Sequence, residues 1–324
     1  MSDRRDSAVT GPGGVPRVVV VTRPSDYDDL LARHGTVGQA GFFLQSRGQS
    51  MAAVRAAHRR QDQAVTAVVR AIPLEWRRSR VDRRDLDRFL FEPGDIVVAV
   101  GRDGLVANLA KYLSGQRVIG INPDPERHDG VLVPHRPGRI AALLAGAASG
   151  ACSVEERVMV QAATEDGQQL LALNEIFVGQ RTHQSARYHL NWRGAGEHHS
   201  SSGLIATTGT GATGWARSVH RQRRTEVALP APCEPRLAFF VREAFPSVAT
   251  GTAVTDGELV GDEGLEIVSE MHDSGVVFGD GIESDCIAFH YGMRLTLRVA
   301  TQRLCLVVAA GRARRRRAGR SRPA

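Results

Sequence analysis

Cysteine is scarce in this sequence, long apolar runs are missing, and the charge is balanced until the last few residues. Each of these absences excludes something. Only Cys152, Cys233, Cys286 and Cys305 are present, far apart and with no Cys-x-x-Cys pair. That spacing supports neither a structural zinc site nor a disulfide framework, and it predicts four ordinary thiols in a reducing compartment. No stretch approaches the ~20 apolar residues that a bilayer-spanning helix needs. Met1 to Gly14 is polar and lacks the apolar segment of a signal peptide. The expectation is a cytoplasmic protein that does not engage a membrane. No internal repeat is present either.

The formal net charge is +7, but Arg312, Arg314, Arg315, Arg316, Arg317, Arg320 and Arg322 all lie at the end. Without them Lys+Arg falls from 42 to 35, equal to the 35 Asp+Glu, so the body of the chain is close to neutral. A like-charge run of this kind predicts a solvated, disordered tail over 311–324. Such a tail attracts polyanions weakly and in a salt-sensitive way. It has no interleaved aromatic on which a base could stack, so no specific nucleic-acid partner is expected.

What is present is enough apolar material, 42% of 324 residues, for a sizeable core in two domains. After a disordered stretch over 1–15, Arg17 to Thr22 is a β-branched run of buried-strand type. Val54, Ala57, Val65, Val68 and Ile72 recur at helical steps within a helical segment from about Gly38 to Ile72, ended by Pro73. The whole of Tyr27 to Phe91 is expected to be helical cover for the sheet. Asp95 to Val100 is a second buried strand, Val106 to Leu113 a helix, Val118 to Ile121 a third strand and Arg139 to Ala148 another helix. Strands apolar on both faces that alternate with helices predict a Rossmann-like three-layer α/β domain over 16–150. Beyond Gly150 the texture is of strands: Glu156 to Ala163, Leu170 to Phe177 as one run, and Ala186 to Trp192. Met293 to Val299 alternates with period two, and Arg303 to Ala309 is expected to be its antiparallel partner. A β-rich, sandwich-type domain over 151–310 follows, with one helix after Gly214. Trp76 and Trp192 are expected to be packing residues, and His198 and His199 surface residues of a turn.

Three places carry candidate chemistry. Gly101-Arg102-Asp103-Gly104 closes a buried strand and opens a helix, where backbone N–H groups approach phosphate. A carboxylate there repels phosphate, unless it serves a divalent cation or takes a proton from an attacking hydroxyl. The plain alternative is an aspartate capping its helix. Asn174-Glu175 is a polar pair inside an apolar run, suited to hold ligand hydroxyls or amides, or else a satisfied structural pair. The third is the loop Thr207-Thr208-Gly209-Thr210-Gly211-Ala212-Thr213-Gly214-Trp215. It matches the Gly-x-Gly-x-x-Gly dinucleotide pattern only formally, because neither the first strand-turn-helix of a βαβαβ unit nor the following acidic strand end is there. No Gly-Lys-Ser/Thr follows, which excludes a P-loop. What remains is a loop of small hydroxyl residues with Trp215 available to lie against a base, or a plain glycine-rich connector.

Taken in order, these elements resemble the ATP-dependent NAD kinase family. The matching residues are Gly101 to Gly104, Gly120-Ile121-Asn122, Asn174-Glu175, Gly203-Leu204-Ile205, then Thr208, Thr210, Gly211, Thr213 and Ser218, and later Asp280-Gly281. The resemblance extends in order from Arg17 to Ala309. It implies a Rossmann-like domain followed by a β-sandwich domain, with the active site in the cleft between them. It further implies Asp103 as general base for the adenosine-ribose 2′-hydroxyl of NAD. Phosphate and nucleotide contacts would fall to Gly101, Arg102, Gly104 and Asn122. NAD contacts would fall to Asn174, Glu175, Thr208, Thr210, Gly211, Thr213, Gly214, Trp215 and Ser218. ATP would arrive with Mg²⁺ held through its phosphates and by no protein side chain directly, polyphosphate being the alternative donor, and the protein would be a homo-oligomer. The sequence departs from the pattern at Arg102 (for Gly), Leu105 (for Thr), Ser202 (for Asp), Gly214-Trp215 (for Ala-Tyr) and Asn122-Pro123-Asp124-Pro125. These departures keep two rivals in view: a kinase of the same fold acting on a sugar or lipid-like alcohol, and a non-catalytic NAD-binding regulator.

Overall fold

The computed structural model describes residues 15–309. The expectations for the stretch up to residue 15, save Val15 itself, and for the arginine-rich tail fall outside them. By its contacts the chain divides into two units, one running to Glu155 and taking up the chain again from Cys305, the other Glu156–Leu304.

The first unit is built on β-branched strands that can be buried on both faces. They are β1 (Arg17–Thr22), β2 (Arg77–Asp82), β3 (Ile96–Val100) and β4 (Arg117–Ile121). The parallel order is β2-β1-β3-β4. Helices α1 (Asp26–His34), α2 (Val37–Gln45) and α3 (Met51–Ala71) lie between β1 and β2. α4 (Asp103–Ala110) connects β3 to β4, and α5 (Ile140–Ser149) follows β4. Val65 and Val68 of α3 and Ile140 and Leu144 of α5 share one core with Val18, Val20, Val98 and Ile119. A carboxylate and a guanidinium start the sheet: buried Asp95 accepts from Arg17 Nε at 2.7 Å and Nη2 at 2.6 Å, tying the first residue of β1 to the residue before β3.

Two expectations fail here. The helical run from Gly38 is two helices, because Gly48 sits at φ 68° and ends the first of them. The segment expected to be helical as far as Phe91 contains β2 and a 3₁₀ turn (Arg83–Arg88). β2 was hidden because Val81 is the one apolar residue in Arg-Arg-Ser-Arg-Val-Asp. An edge strand dresses in charge, which keeps its open side from pairing with other chains.

The second unit is a sandwich. The chain runs through β5 (Ser153–Thr164), β6 (Gln169–Ala172), β7 (Glu175–Gln180), β8 (Ala186–Trp192), β9 (Ala195–Ser201) and β10 (Leu204–Thr207). Then come α6 (Trp215–Arg221), β11 (Arg236–Val241), β12 (Asp256–Val260), β13 (Gly264–Ser269), β14 (Gly275–Gly279), β15 (Cys286–Ala288) and β16 (Arg294–Val308). One sheet has the order β12-β11-β10-β7-β14-β15. Facing it, β13 pairs antiparallel with both β8 and β16, and β8 with β9. Tyr188, Leu190, Leu265, Ile267, Ile176, Leu204 and Phe239 meet between the sheets as alternating inward residues. The mixed α/β and β-sandwich fold class is as expected.

Two strand assignments are corrected. Arg303 to Ala309 is not a separate partner of Met293 to Val299: both belong to β16, whose first half pairs with β13 and whose Cys305 and Leu306 pair parallel with β4. Buried positions pass from Leu295 and Leu297 to Ala300, Leu304 and Leu306. The change of phase from odd to even numbers mimicked a strand break, although no turn residue stands at 300–302. Leu170 to Phe177 is likewise two strands, with Leu173 and Asn174 forming a bend between β6 and β7.

Candidate active site

In the first unit, β2 lies outside β1 and β4 outside β3. The connections therefore diverge between β1 and β3, and ligands of open parallel sheets bind at the carboxyl ends of such a pair. Gly101 to Gly104 follows β3 there. Gly101 is buried and donates to the Ile121 carbonyl at 3.0 Å, while Arg102 and Gly104 are exposed. Arg102 extends beside Asp26 (3.8 Å) at a crevice also lined by Arg23, Ser25, His58 and Gln61. Two guanidinium groups beside the start of α4 favour an anion, since the helix amino end adds its own partial positive charge.

Asp103 is the first residue of α4 and caps nothing in its own helix. Its carboxylate accepts the backbone N–H groups of Val131 (3.0 Å), Leu132 (2.8 Å) and Val133 (3.2 Å). A carboxylate has about four acceptor positions, so three amides fix its orientation and leave room for one further partner. Asn122 anchors the other end of the same segment. It is buried, with Oδ1 accepting from Asp124 N (2.9 Å) and Nδ2 donating to the His128 carbonyl (2.8 Å). Gly120 is obligatory beneath this segment, because a Cβ there would lie 2.1 Å from the Leu132 oxygen.

In the second unit, the Leu173–Asn174 bend has all four of its backbone polar groups engaged. Asp280 accepts Leu173 N–H at 2.9 Å and Asn174 N–H at 2.6 Å. Thr208 Oγ1 donates to the Leu173 carbonyl at 2.6 Å, and Thr208 N–H to the Asn174 carbonyl at 2.9 Å. Among the described residues none hydrogen-bonds the Asn174 side-chain amide or the Glu175 carboxyl, and both residues are half-buried. Burial and the nearby charge of Asp280 push the Glu175 carboxyl up to about 7.

The hydroxyl loop falls into two parts. Thr208 and Thr210 are buried, and Thr208 Oγ1 accepts from Thr210 N–H (3.0 Å) and Gly211 N–H (3.3 Å). Gly211 lies so close to the bend that a Cβ would stand 2.3 Å from the Asn174 oxygen. Thr213, Gly214, Trp215 and Ser218 are exposed, although Thr213 Oγ1 donates to the Thr210 carbonyl at 3.0 Å. Trp215 stacks on Phe177 (6.0 Å, 26°), carries the Arg242 guanidinium at 5.0 Å, and with Phe278, Arg181 and Cys286 lines a cavity of about 580 Å³. That is within the usual range for a small-molecule pocket.

Sequence reasoning missed the clamp. Thr207, which donates to the Asn174 carbonyl at 3.3 Å, was named only as the start of the loop and given no role, and buried Arg157, 3.5 Å from Thr210 Oγ1, passed unnoticed. Asp280 was seen only as part of an Asp-Gly pair. The signal available was that pair's position after an apolar strand, where Asp-Gly marks a tight turn. His199 is also corrected: it is fully buried in β9, with Nε2 at 3.1 Å from Glu197 and its ring on Tyr188. Among the described residues no group of three or more His, Cys, Asp or Glu side chains converges on a metal position, and no helix is long and apolar enough to cross a membrane. All four cysteines are free thiols.

No family model matches the chain. The rat protein NAD kinase 2, mitochondrial, is 27% identical over 256 residues, covering 63% of this chain and 60% of its own length. Its human counterpart is 27% identical over 310 residues, covering 70% of each. The chain thus spans about 60% of the rat relative. In fold it is similar to the crystal structure of an NAD kinase from Archaeoglobus fulgidus in complex with ATP. That match has a TM-score of 0.58 and 18% identity, and covers 92% of this chain and 96% of that one. In sequence the chain is thus similar to NAD kinases along most of its length, and in fold to a solved NAD kinase structure.

Proposed function

We propose that this protein transfers the γ-phosphoryl group of ATP to the 2′-hydroxyl of the adenosine ribose of NAD, producing NADP. The observation that carries this reading is the Leu173–Asn174 bend, whose backbone is fully engaged while the Asn174 side-chain amide and Glu175 carboxyl have no hydrogen-bond partner among the described residues, in a chain similar to NAD kinases. In it, Asn174 and Glu175 bind the acceptor's hydroxyls, while Thr208, Thr210 and Gly211 shape the pocket from behind. Thr213, Gly214, Trp215 and Ser218 supply the exposed wall, with Trp215 offering a ring face to a base. Gly101, Arg102 and Gly104 receive phosphate at the start of α4, over the segment that Asn122 folds.

Asp103 is the general base for the attacking hydroxyl, its carboxylate already oriented by three amides. A divalent cation, Mg²⁺ in this reading, comes with the phosphates of ATP and neutralises charge on the transferring group. The protein's own share is alignment and fixed positive charge. Polyphosphate fits the same phosphate-binding groups as an alternative donor. Self-association and a cytoplasmic location belong to this reading as well, although the relatives are named as mitochondrial.

The test is incubation with ATP, Mg²⁺ and NAD, with product read by an NADP-specific dehydrogenase, and Asp103→Asn in parallel. NADP from the wild type and at least a roughly hundredfold slower rate from the variant are expected. No NADP from the wild type contradicts the assignment.

A further inference from the structure

Asp280 stands just after β14 at φ 53°, a left-handed conformation that side-chain-bearing residues seldom adopt. Its N–H donates to the Glu175 carbonyl at 3.0 Å, while its carboxylate reaches over to accept the Leu173 and Asn174 amides. One residue therefore touches the backbone on both sides of the pair that faces the ligand. Its charge also acts on Glu175, and across β10 the residue paired with Glu175 is the uncharged Thr207. Two carboxyl groups in a poorly solvated place do not both ionise readily. Two amide donors favour the Asp280 anion, while burial first and the charge of Asp280 second weigh against the anion of Glu175.

We propose that Asp280 is a positioning residue of the acceptor site: it fixes the Leu173–Asn174 bend and, adding its negative charge to the burial of the Glu175 side chain, favours Glu175 meeting the acceptor as a neutral acid. A neutral carboxyl donates as well as accepts a hydrogen bond, which suits a ribose hydroxyl or a ring nitrogen. It also spares the site a second anion beside ligands that carry several phosphate charges. The inference rests on the acceptor reading given above, and its consequence for binding is directional. Affinity for NAD falls as pH rises through the Glu175 titration, by roughly tenfold between about pH 6 and pH 8 for one linked proton.

The experiment follows the Glu175 carboxyl itself, by NMR of full-length protein labelled at the glutamate side-chain carboxyl carbon, its resonance identified by loss in Glu175→Gln. A midpoint close to 7 is expected for the wild type. In Asp280→Asn it moves down, because a like charge has been removed, and stays above the ordinary carboxylate range, because burial remains. Calorimetry of NAD binding by the variant then shows affinity beginning to fall at a correspondingly lower pH. A wild-type midpoint in the ordinary carboxylate range overturns the proposal by itself, whether or not the variant folds. An unmoved midpoint in folded Asp280→Asn, or in Asp280→Ser as a second variant, overturns it equally. The titration needs neither ATP nor turnover, so a wild type that forms no NADP would remove the kinase reading and leave this measurement to be judged separately.

Discussion

Glu175 is a carboxyl whose folded environment disfavours its charge, which makes the stability of the fold depend on pH. Burial, with Asp280 second, raises it from 4.5 to about 7. A group raised on folding stabilises fully below its unfolded value, and the contribution is lost as pH rises through the folded one. Between about pH 5 and pH 8 the wild type should therefore lose up to about 3 kcal/mol that Glu175→Gln keeps. Urea unfolding of the two proteins across that range checks it, and parallel curves would contradict it. Gly211 gives a second prediction at this scale. Gly211→Ala brings a Cβ to 2.3 Å from the Asn174 oxygen and 2.5 Å from Thr207 Oγ1, so the bend must move. A loss of about 1–3 kcal/mol and a weakened affinity for NAD are expected.

At the scale of elements, the buried parallel strands were legible because β1, β3 and β4 are β-branched on both faces. β2 was not, since an edge strand need not look apolar. β16 was misread because its inward face changes phase without a turn, and the bend at Leu173 because an apolar run does not announce that its backbone will be clamped by Asp280 and Thr208. Such long-range partners leave no periodic trace in sequence.

The Arg17–Asp95 pair, which joins the starts of β1 and β3, is testable. Asp95→Asn removes one member of a pair whose carboxylate is fully buried, and a cost of about 3–5 kcal/mol is expected in chemical unfolding. In β9 and the segment it holds, burial opposes the Glu197 charge, but the Val254 and Ala253 amides and His199 outweigh it and hold the carboxyl below its usual range. Burial likewise holds His199 below its ordinary value, against the pull of Glu197. Both shifts lose stability as pH falls, His199 first as the unfolded histidine takes its proton near about pH 6.5. Hydrogen-exchange protection of the Ala253 and Val254 amides should decline on acidification, and in Glu197→Gln it should already be low at neutral pH.

For the whole molecule, the order of motifs was the strongest information in the sequence. Gly101 to Gly104, Asn174-Glu175 and the 208–218 loop were each ambiguous alone, and their succession over two domain textures was not. The division into units was less legible, because β16 begins in the sandwich and ends beside β4, so that its residues from Cys305 onward belong to the first unit. The departures at Arg102, Ser202 and Trp215 bear on the acceptor of the proposed reaction. Arg102 and Trp215 are both exposed, where they can contact ligands without disturbing the core.

The most direct measurement is label transfer from γ-labelled ATP in the presence of NAD, with sugar and lipid-like alcohols offered as competing acceptors. Label recovered in NADP, and lost in Asp103→Asn, is the predicted result. Label in another alcohol, or none in any acceptor while NAD binds tightly, would contradict the assignment.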